Sequence, residues 1–292
     1  MAAGVPCLGI EPTRSTAEAA EALGIPVLQE FFGRALGNRL KSEGRQADLI
    51  AGNNVFAHVP DINDFTEGLA ASLKPGGVIT LEFPHLLHLV EQCLFDTVYH
   101  EHFSYLSLGT TVRIMQRAGL RVFDVEELTT HGGSLRVYAC LEGSNHDETP
   151  RVAALLEAER TRGLETVETY AGLQGRAVAI KNALLGFLLD CEAKGKTVAG
   201  YGAAAKGNTL LNFAGVRPDL LPRVADAAPS KQGKLLPGSH IPIVAPDALR
   251  ADRPDFVVIF PWNLAAEVHE QLADLAAAGT RFVTCLPELV IR

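Results

Sequence analysis

The sequence predicts an α/β protein of two lobes, each a mostly parallel sheet covered by helices, with a helical connection between them. Three observations carry this. Short apolar runs alternate with longer amphipathic stretches through residues 5–83. The alternation stops across residues 149–193, a tract rich in Ala, Leu, Glu and Arg with no proline after Pro150. It restarts at Thr197 and continues to the C-terminus. Strand–helix repetition of this kind builds parallel sheets with helices on both faces.

Taken in order, Val5–Ile10 reads as a strand, Ser15–Leu23 as a helix, Ile25–Leu28 as a strand and Arg34–Ser42 as a helix. Ala47–Asn53 is a strand that ends in two asparagines, and Ile62–Leu73 is a helix stopped by Lys74-Pro75-Gly76-Gly77. Val78–Phe83 is a strand broken by Pro84. Leu120–Val125 and Ser134–Leu141 are two more strands, and the tight link Thr129–Gly133 makes them an antiparallel pair. In the second lobe the strands are Thr197–Tyr201, Arg223–Asp226, Phe256–Phe260 and Arg281–Cys285. The helices are Ala204–Phe213 and Leu264–Ala278, with a helix or turn from Pro246 to Ala251.

Composition excludes several classes of function. A formal charge of −8 without a Lys/Arg run leaves no electrostatic footprint for nucleic acid. No apolar run is long enough to cross a bilayer, and the N-terminus has no signal-peptide pattern. The 5 cysteines show no C-x-x-C pair, no zinc spacing and no disulfide framework, and their odd count suits a reducing cytoplasm. At 47% hydrophobic and 21% charged, the chain has the make-up of a globular enzyme.

Three stretches can carry chemistry. Glu11 ends the first strand, where a carboxylate suits two vicinal ribose hydroxyls; it also reads as a surface acid before Pro12. Asn53-Asn54-Val-Phe-Ala-His58 leaves the end of a strand, where Asn53 and Asn54 can contact a ligand amide or hydroxyl and His58 can act as an acid. The same residues also suit a plain capping loop. The densest stretch runs from Glu82 to Ser107 and holds His85, His88, His100 and His102 of the 9 histidines. Two histidines there can bind a metal, although no cysteine joins them. They can equally be satisfied loop residues. In the third reading Tyr99, Glu101 and His102 perform acid–base chemistry: the imidazole moves a proton near neutral pH, the carboxylate orients it, and the phenol stabilises an oxyanion.

Further on, Gly200-Tyr-Gly202-Ala-Ala-Ala205 fits G-x-G-x-x-A between a strand and a helix, with Asp226 ending the next strand. By pattern this is a dinucleotide fingerprint and leaves open an NAD-dependent oxidoreductase. A glycine turn opening a helix also presents N–H groups to any phosphate, and Lys206, Asn208, Lys231 and Lys234 can add contacts to a diphosphate. The lysines also read as solvated surface.

With these residues in view, the sequence resembles the sugar C-methyltransferases of deoxysugar biosynthesis, of the tetronitrose C-3'-methyltransferase type. The matching stretches are Leu8–Pro12, Asn53–Asp61, Glu82–His85, Asp96–Ser107 and Thr130–Val137 in the first part. In the second they are Gly200–Thr209, Ser230–Lys234, Gly238–Pro242 and Pro261–Leu264. The resemblance implies a Rossmann-like S-adenosylmethionine methyltransferase lobe followed by a second Rossmann-like lobe that helps hold a nucleotide sugar. It implies His102 as the base, with Tyr99, Glu101 and His58 around the substrate. It also implies methyl transfer to the carbon beside the keto group of a dTDP-4-keto-deoxysugar through an enolate.

Family members carry a small zinc-binding lobe and a glycine-rich first loop that find no counterpart here. The expectation is therefore an N-terminally truncated form with no zinc: a methyltransferase domain over residues 1–148 lacking its first strand and loop, a helical connection over 149–195, and a nucleotide-sugar domain over 196–292. A catalytically impaired nucleotide-sugar-binding protein is the alternative that such a truncation raises.

Overall fold

The structure is a computed structural model that describes residues 4–292. Along the chain the strands are β1 (Gly9–Ile10), β2 (Val27–Leu28), β3 (Ala47–Asn53), β4 (Leu73–Pro84), β5 (Leu120–Leu128) and β6 (Ser134–Leu141), then β7 (Val198–Tyr201), β8 (Val224–Ala225), β9 (Ile243–Val244), β10 (Phe256–Ile259), β11 (Arg281–Thr284) and β12 (Val290–Ile291). The helices of the first half are α1 (Arg14–Ala22), α2 (Arg34–Ser42), α3 (Ile62–Ser72), α4 (Leu86–Gln92), α5 (Leu108–Arg117) and α6 (Pro150–Thr161). Those of the second are α7 (Glu168–Ala171), α8 (Leu173–Ala193), α9 (Ala205–Ala214), α10 (Pro246–Asp252), α11 (Ala265–Gln271) and α12 (Ala273–Ala277).

The chain divides into two compact units. The first takes in residues up to Phe83, Phe103–Leu128 and Ser134–Glu159; the second takes in Pro84–His102, Thr129–Gly133 and Arg160–Arg292. In the first unit β1 and β2 pair in parallel, and a separate sheet runs in the order β3-β4-β6-β5. β3 and β4 are parallel, β5 and β6 antiparallel, as the short link between the last two requires. Phe56, Ile79, Leu81, Phe83, Met115 and Leu135 lie in its core, packed between the sheet and α3 and α5.

Helices α2 and α3 meet through glycines. A Cβ on Gly37 would stand 2.4 Å from the Gly68 carbonyl oxygen, so no larger residue permits this approach. α3 starts where the Asp61 side chain accepts the amide hydrogens of Asn63 and Asp64. Buried Glu159 accepts the first amides of α5, those of Leu108 and Gly109, at 2.6 and 2.9 Å.

Several elements differ from the sequence expectation. β1 holds only Gly9–Ile10, because Val5 and its neighbours have no strand partner among the described residues. β4 begins at Leu73, not at Val78: Leu73 pairs with Ala47, and the ladder shifts register before Leu49 pairs with Val78. The left-handed Gly76 (φ +77) lets the strand absorb that irregularity. α4 and α5 are helices that the pattern left unassigned, and the tract from Pro150 to Ala193 is three helices.

The second unit has a six-stranded sheet in the order β12-β11-β10-β7-β8-β9, parallel except for β12. Its core gathers Ala199, Val257, Ile259, Leu272 and Phe282. Asp255, at the start of β10, accepts from Lys196 Nζ, from the Thr197 amide and from the Thr197 hydroxyl at 2.8–2.9 Å. The Lys196 bond leads these in holding its carboxyl down at about 2. A carboxyl held below its ordinary value stabilises the fold above that ordinary value, and the contribution is lost as pH falls toward 2. An Asp255→Asn variant is therefore expected to be less stable than wild type at pH 5, with the gap closing below pH ~4. Urea midpoints measured across that window check this; a gap constant with pH would refute it. No helix among the described residues is long and apolar enough to cross a membrane.

Candidate active site

The stretch from Pro84 to His102 belongs to the second unit. α4 ends at Cys93, whose left-handed backbone turns the chain into the 3-10 turn Phe95–Thr97. This turn is buried: Phe95 lies edge-on to Phe213 of α9, ring centroids 5.4 Å apart, and the Thr97 hydroxyl donates to the Leu94 carbonyl at 2.7 Å. A second turn follows, closed by the His102 amide donating to the Tyr99 carbonyl at 3.0 Å. It places the Tyr99 and His102 rings 4.3 Å apart at 30°. Both are half-buried, while His100 and Glu101 at the turn's tip are exposed.

His102 Nδ1 lies 2.7 Å from the Thr97 carbonyl oxygen. A carbonyl oxygen can only accept, so Nδ1 carries the hydrogen and the neutral ring bears its basic lone pair on Nε2. The sequence offered Glu101 as the group that orients this ring; at Nδ1 that partner is Thr97.

Near the turn lies a polar cluster of which motif reading singled out only Lys206. The Asp96 carboxylate is 1% exposed, and its Oδ2 accepts from Trp262 Nε1 at 2.8 Å. Lys206 Nζ stands 4.5 Å from the centre of the Trp262 ring and donates to Asn263 Oδ1 at 3.1 Å and to the His131 carbonyl at 3.4 Å. Burial pushes the Asp96 carboxyl up and the Lys206 ammonium down, each tempered by the other's charge. Burial also pushes the nearby Cys285 thiol up to about 12, so it is inert as a nucleophile near neutral pH. Asp96 and Trp262 both stood in stretches that carried the family resemblance; nothing in the pattern linked positions so far apart.

Gly202, with φ +94, lets the chain turn from β7 toward α9, and a Cβ there would come 2.3 Å from the Pro261 ring. The Asp226 carboxylate is buried and already accepts from the Ala203 amide, the Ala228 amide and Lys231 Nζ. In a dinucleotide site that acid meets a ribose diol. Here its hydrogen-bonding capacity is largely spent within the loop, which weighs against the NAD reading. Asn208 is half-buried with its Oδ1 shielded from solvent, and Lys234 is exposed. His85 and His88 stand edge to face with centroids 5.4 Å apart.

The remaining candidates lie in the first unit. Asn53 ends β3 opposite Glu82, and Asn54, at φ +55, donates its amide to the Glu82 carbonyl at 2.8 Å. Both asparagines are exposed at the C-terminal end of their strand. His58 closes the 3-10 turn Phe56–His58 and is half-buried. Glu11 follows β1, and its Oε1 accepts the Thr13 amide at 2.7 Å. A carboxylate can accept from hydroxyl groups, and an exposed carboxamide can both donate to and accept from polar ligand groups.

Residues 129–287 match the family described as C-methyltransferase C-terminal domain, and residues 2–125 match the methyltransferase domain family. The C-methyltransferase NovU of Streptomyces niveus is 36% identical over 286 residues, covering 98% of this chain and 68% of NovU. Among solved structures, the magnesium protoporphyrin IX methyltransferase of Synechocystis PCC 6803 aligns with 49% of this chain and 66% of its own (TM-score 0.35, 14% identity). An S-adenosylmethionine-dependent methyltransferase from Clostridium acetobutylicum ATCC 824 aligns with 47% of this chain and 75% of its own (TM-score 0.34, 10% identity). On the match to NovU and the two domain matches, the chain belongs to the S-adenosylmethionine-dependent C-methyltransferase family.

Proposed function

We propose that this protein methylates the carbon beside the keto group of a dTDP-linked 4-keto-deoxysugar, with His102 as the base. The observation that carries the reading is the 2.7 Å contact between His102 Nδ1 and the Thr97 carbonyl, which leaves Nε2 basic. A ketone acidifies the neighbouring C–H. His102 Nε2 takes that proton, and the negative charge moves to the ketone oxygen as an enolate. The Tyr99 hydroxyl is assigned to that oxygen, Glu101 to the charge formed on the imidazole, and His58 to a second proton-donor role. Bound S-adenosylmethionine supplies the electrophilic methyl; Glu11, Asn53 and Asn54 are assigned to its nucleoside and amino-acid groups. The Gly202 turn with Lys206, Asn208, Lys231 and Lys234 is assigned to the sugar nucleotide. The 5 cysteines, all unpaired as thiols, suit a cytoplasmic protein.

Isothermal titration with S-adenosylhomocysteine, dTDP and NAD tests this. Binding of the first two and none of NAD is expected. Response to dTDP alone would support a nucleotide-sugar-binding protein without methyl transfer. Tight NAD binding with no response to dTDP would replace the reading by a dehydrogenase.

A further inference from the structure

Between Asp96 and His102 the second unit carries a chain of contacts that the acid–base reading does not use. Asp96 Oδ2 holds the indole N–H of Trp262 at 2.8 Å. The indole is gripped elsewhere too: Lys206 Nζ lies over its ring at 4.5 Å, and a Cβ on Gly132 would come within 2.2 Å of its edge. Trp262 is thus a fixed post. Asp96 sits in the middle of the turn Phe95–Thr97, whose last carbonyl receives His102 Nδ1–H at 2.7 Å.

We propose that Asp96 and Trp262 are positioning residues for His102: they anchor the turn whose Thr97 carbonyl selects the ring's tautomer. The proposal rests on the assignment of His102 as the base. An imidazole without a fixed acceptor at Nδ1 populates both tautomers, and one of them presents N–H instead of a lone pair to the substrate. A hydrogen bond to a carboxylate holds an indole more firmly than one to a neutral oxygen. The cost of that choice is visible: Asp96 Oδ1 is buried with no hydrogen-bond partner among the described residues. An acceptor left unmatched in the interior works against folding. A site that only needed packing would be better served by an apolar residue, so the carboxylate is explained by what it holds.

The test uses the full chain with histidine carrying heavy nitrogen, so that the ring nitrogens report the tautomer by NMR. The His102 signals are identified by their loss in His102→Gln. In wild type, His102 is expected as the Nδ1–H form. In Trp262→Phe, which keeps an aromatic ring under Lys206 but deletes the N–H, the two tautomers should mix. Deuterium exchange at the substrate carbon should then fall by up to about 100-fold in kcat with KM unchanged, the scale of loss when a change away from the chemistry displaces a catalytic group. Asp96→Asn retains an acceptor oxygen and should fall between the two. Since Trp262 is the only tryptophan, its emission in Asp96→Asn reports directly whether the indole has moved. A wild-type tautomer in both variants would overturn the proposal, whatever their stability. A His102→Gln protein that still exchanges would remove the base assignment but leave the tautomer result to stand or fall separately.

Discussion

A His102→Asn protein is expected to lose solvent-deuterium exchange at the carbon beside the substrate ketone by about 10²–10⁴-fold, the range a positioned general base supplies. Asparagine keeps a donor near the Thr97 carbonyl but has no basic nitrogen. The loss should therefore appear in the proton-transfer step, with little change in binding of the sugar nucleotide. Mass spectrometry of the substrate in heavy water, without the methyl donor, isolates that step. Normal exchange in the variant would exclude His102, and Tyr99 and His58 would become the next groups to examine. Tyr99→Phe retains the ring that lies 4.3 Å from that of His102, centroid to centroid, so the same assay separates the phenol's hydroxyl from its packing.

The second large effect is on stability. Phe56 is fully buried, with its ring 6.1 Å from Phe65 and 5.8 Å from Phe83, centroid to centroid. Phe56→Ala should cost about 3–5 kcal/mol, because the lost apolar burial is joined by a cavity that strand and helix cannot close. That is a large share of the roughly 5–15 kcal/mol by which domains are stable. The effect should reach function as well. Phe56 opens the 3-10 turn that carries His58, and the next carbonyl, of Ala57, accepts the amides of Phe103 and Ser104 at 2.9 and 3.2 Å. Urea unfolding followed by circular dichroism checks the magnitude; a loss below about 1 kcal/mol would mean that the site collapses around the smaller side chain.

Much of this was legible in the linear pattern. Alternating apolar and amphipathic runs foretold β3, β6, β7 and β10 and helices α1, α2, α3 and α9, because side-chain period follows backbone geometry directly. The antiparallel pairing of β5 and β6 followed from the short link between them. α4 and α5 were hidden: a strong local motif, with its histidines and aromatics, masked the helical spacing around it. β4 was misread at its start because Lys74-Pro75-Gly76-Gly77 carries every mark of a turn. Pairing of Leu73 with Ala47 overrode that preference and drew the segment into the strand.

The sequence by itself determined the α/β class, the family and the grouping of Tyr99, Glu101 and His102 in one short stretch, since all of these rest on neighbours along the chain. Only the tertiary structure decided what orients the imidazole and what holds that partner in place. Thr97, Asp96, Lys206 and Trp262 are spread from position 96 to position 262, and a buried carboxylate finds its indole through packing, which no spacing rule records. The same holds for Asp226: its place in the pattern suggests a ribose ligand, yet the loop amides and Lys231 that fold around it take up the carboxylate first.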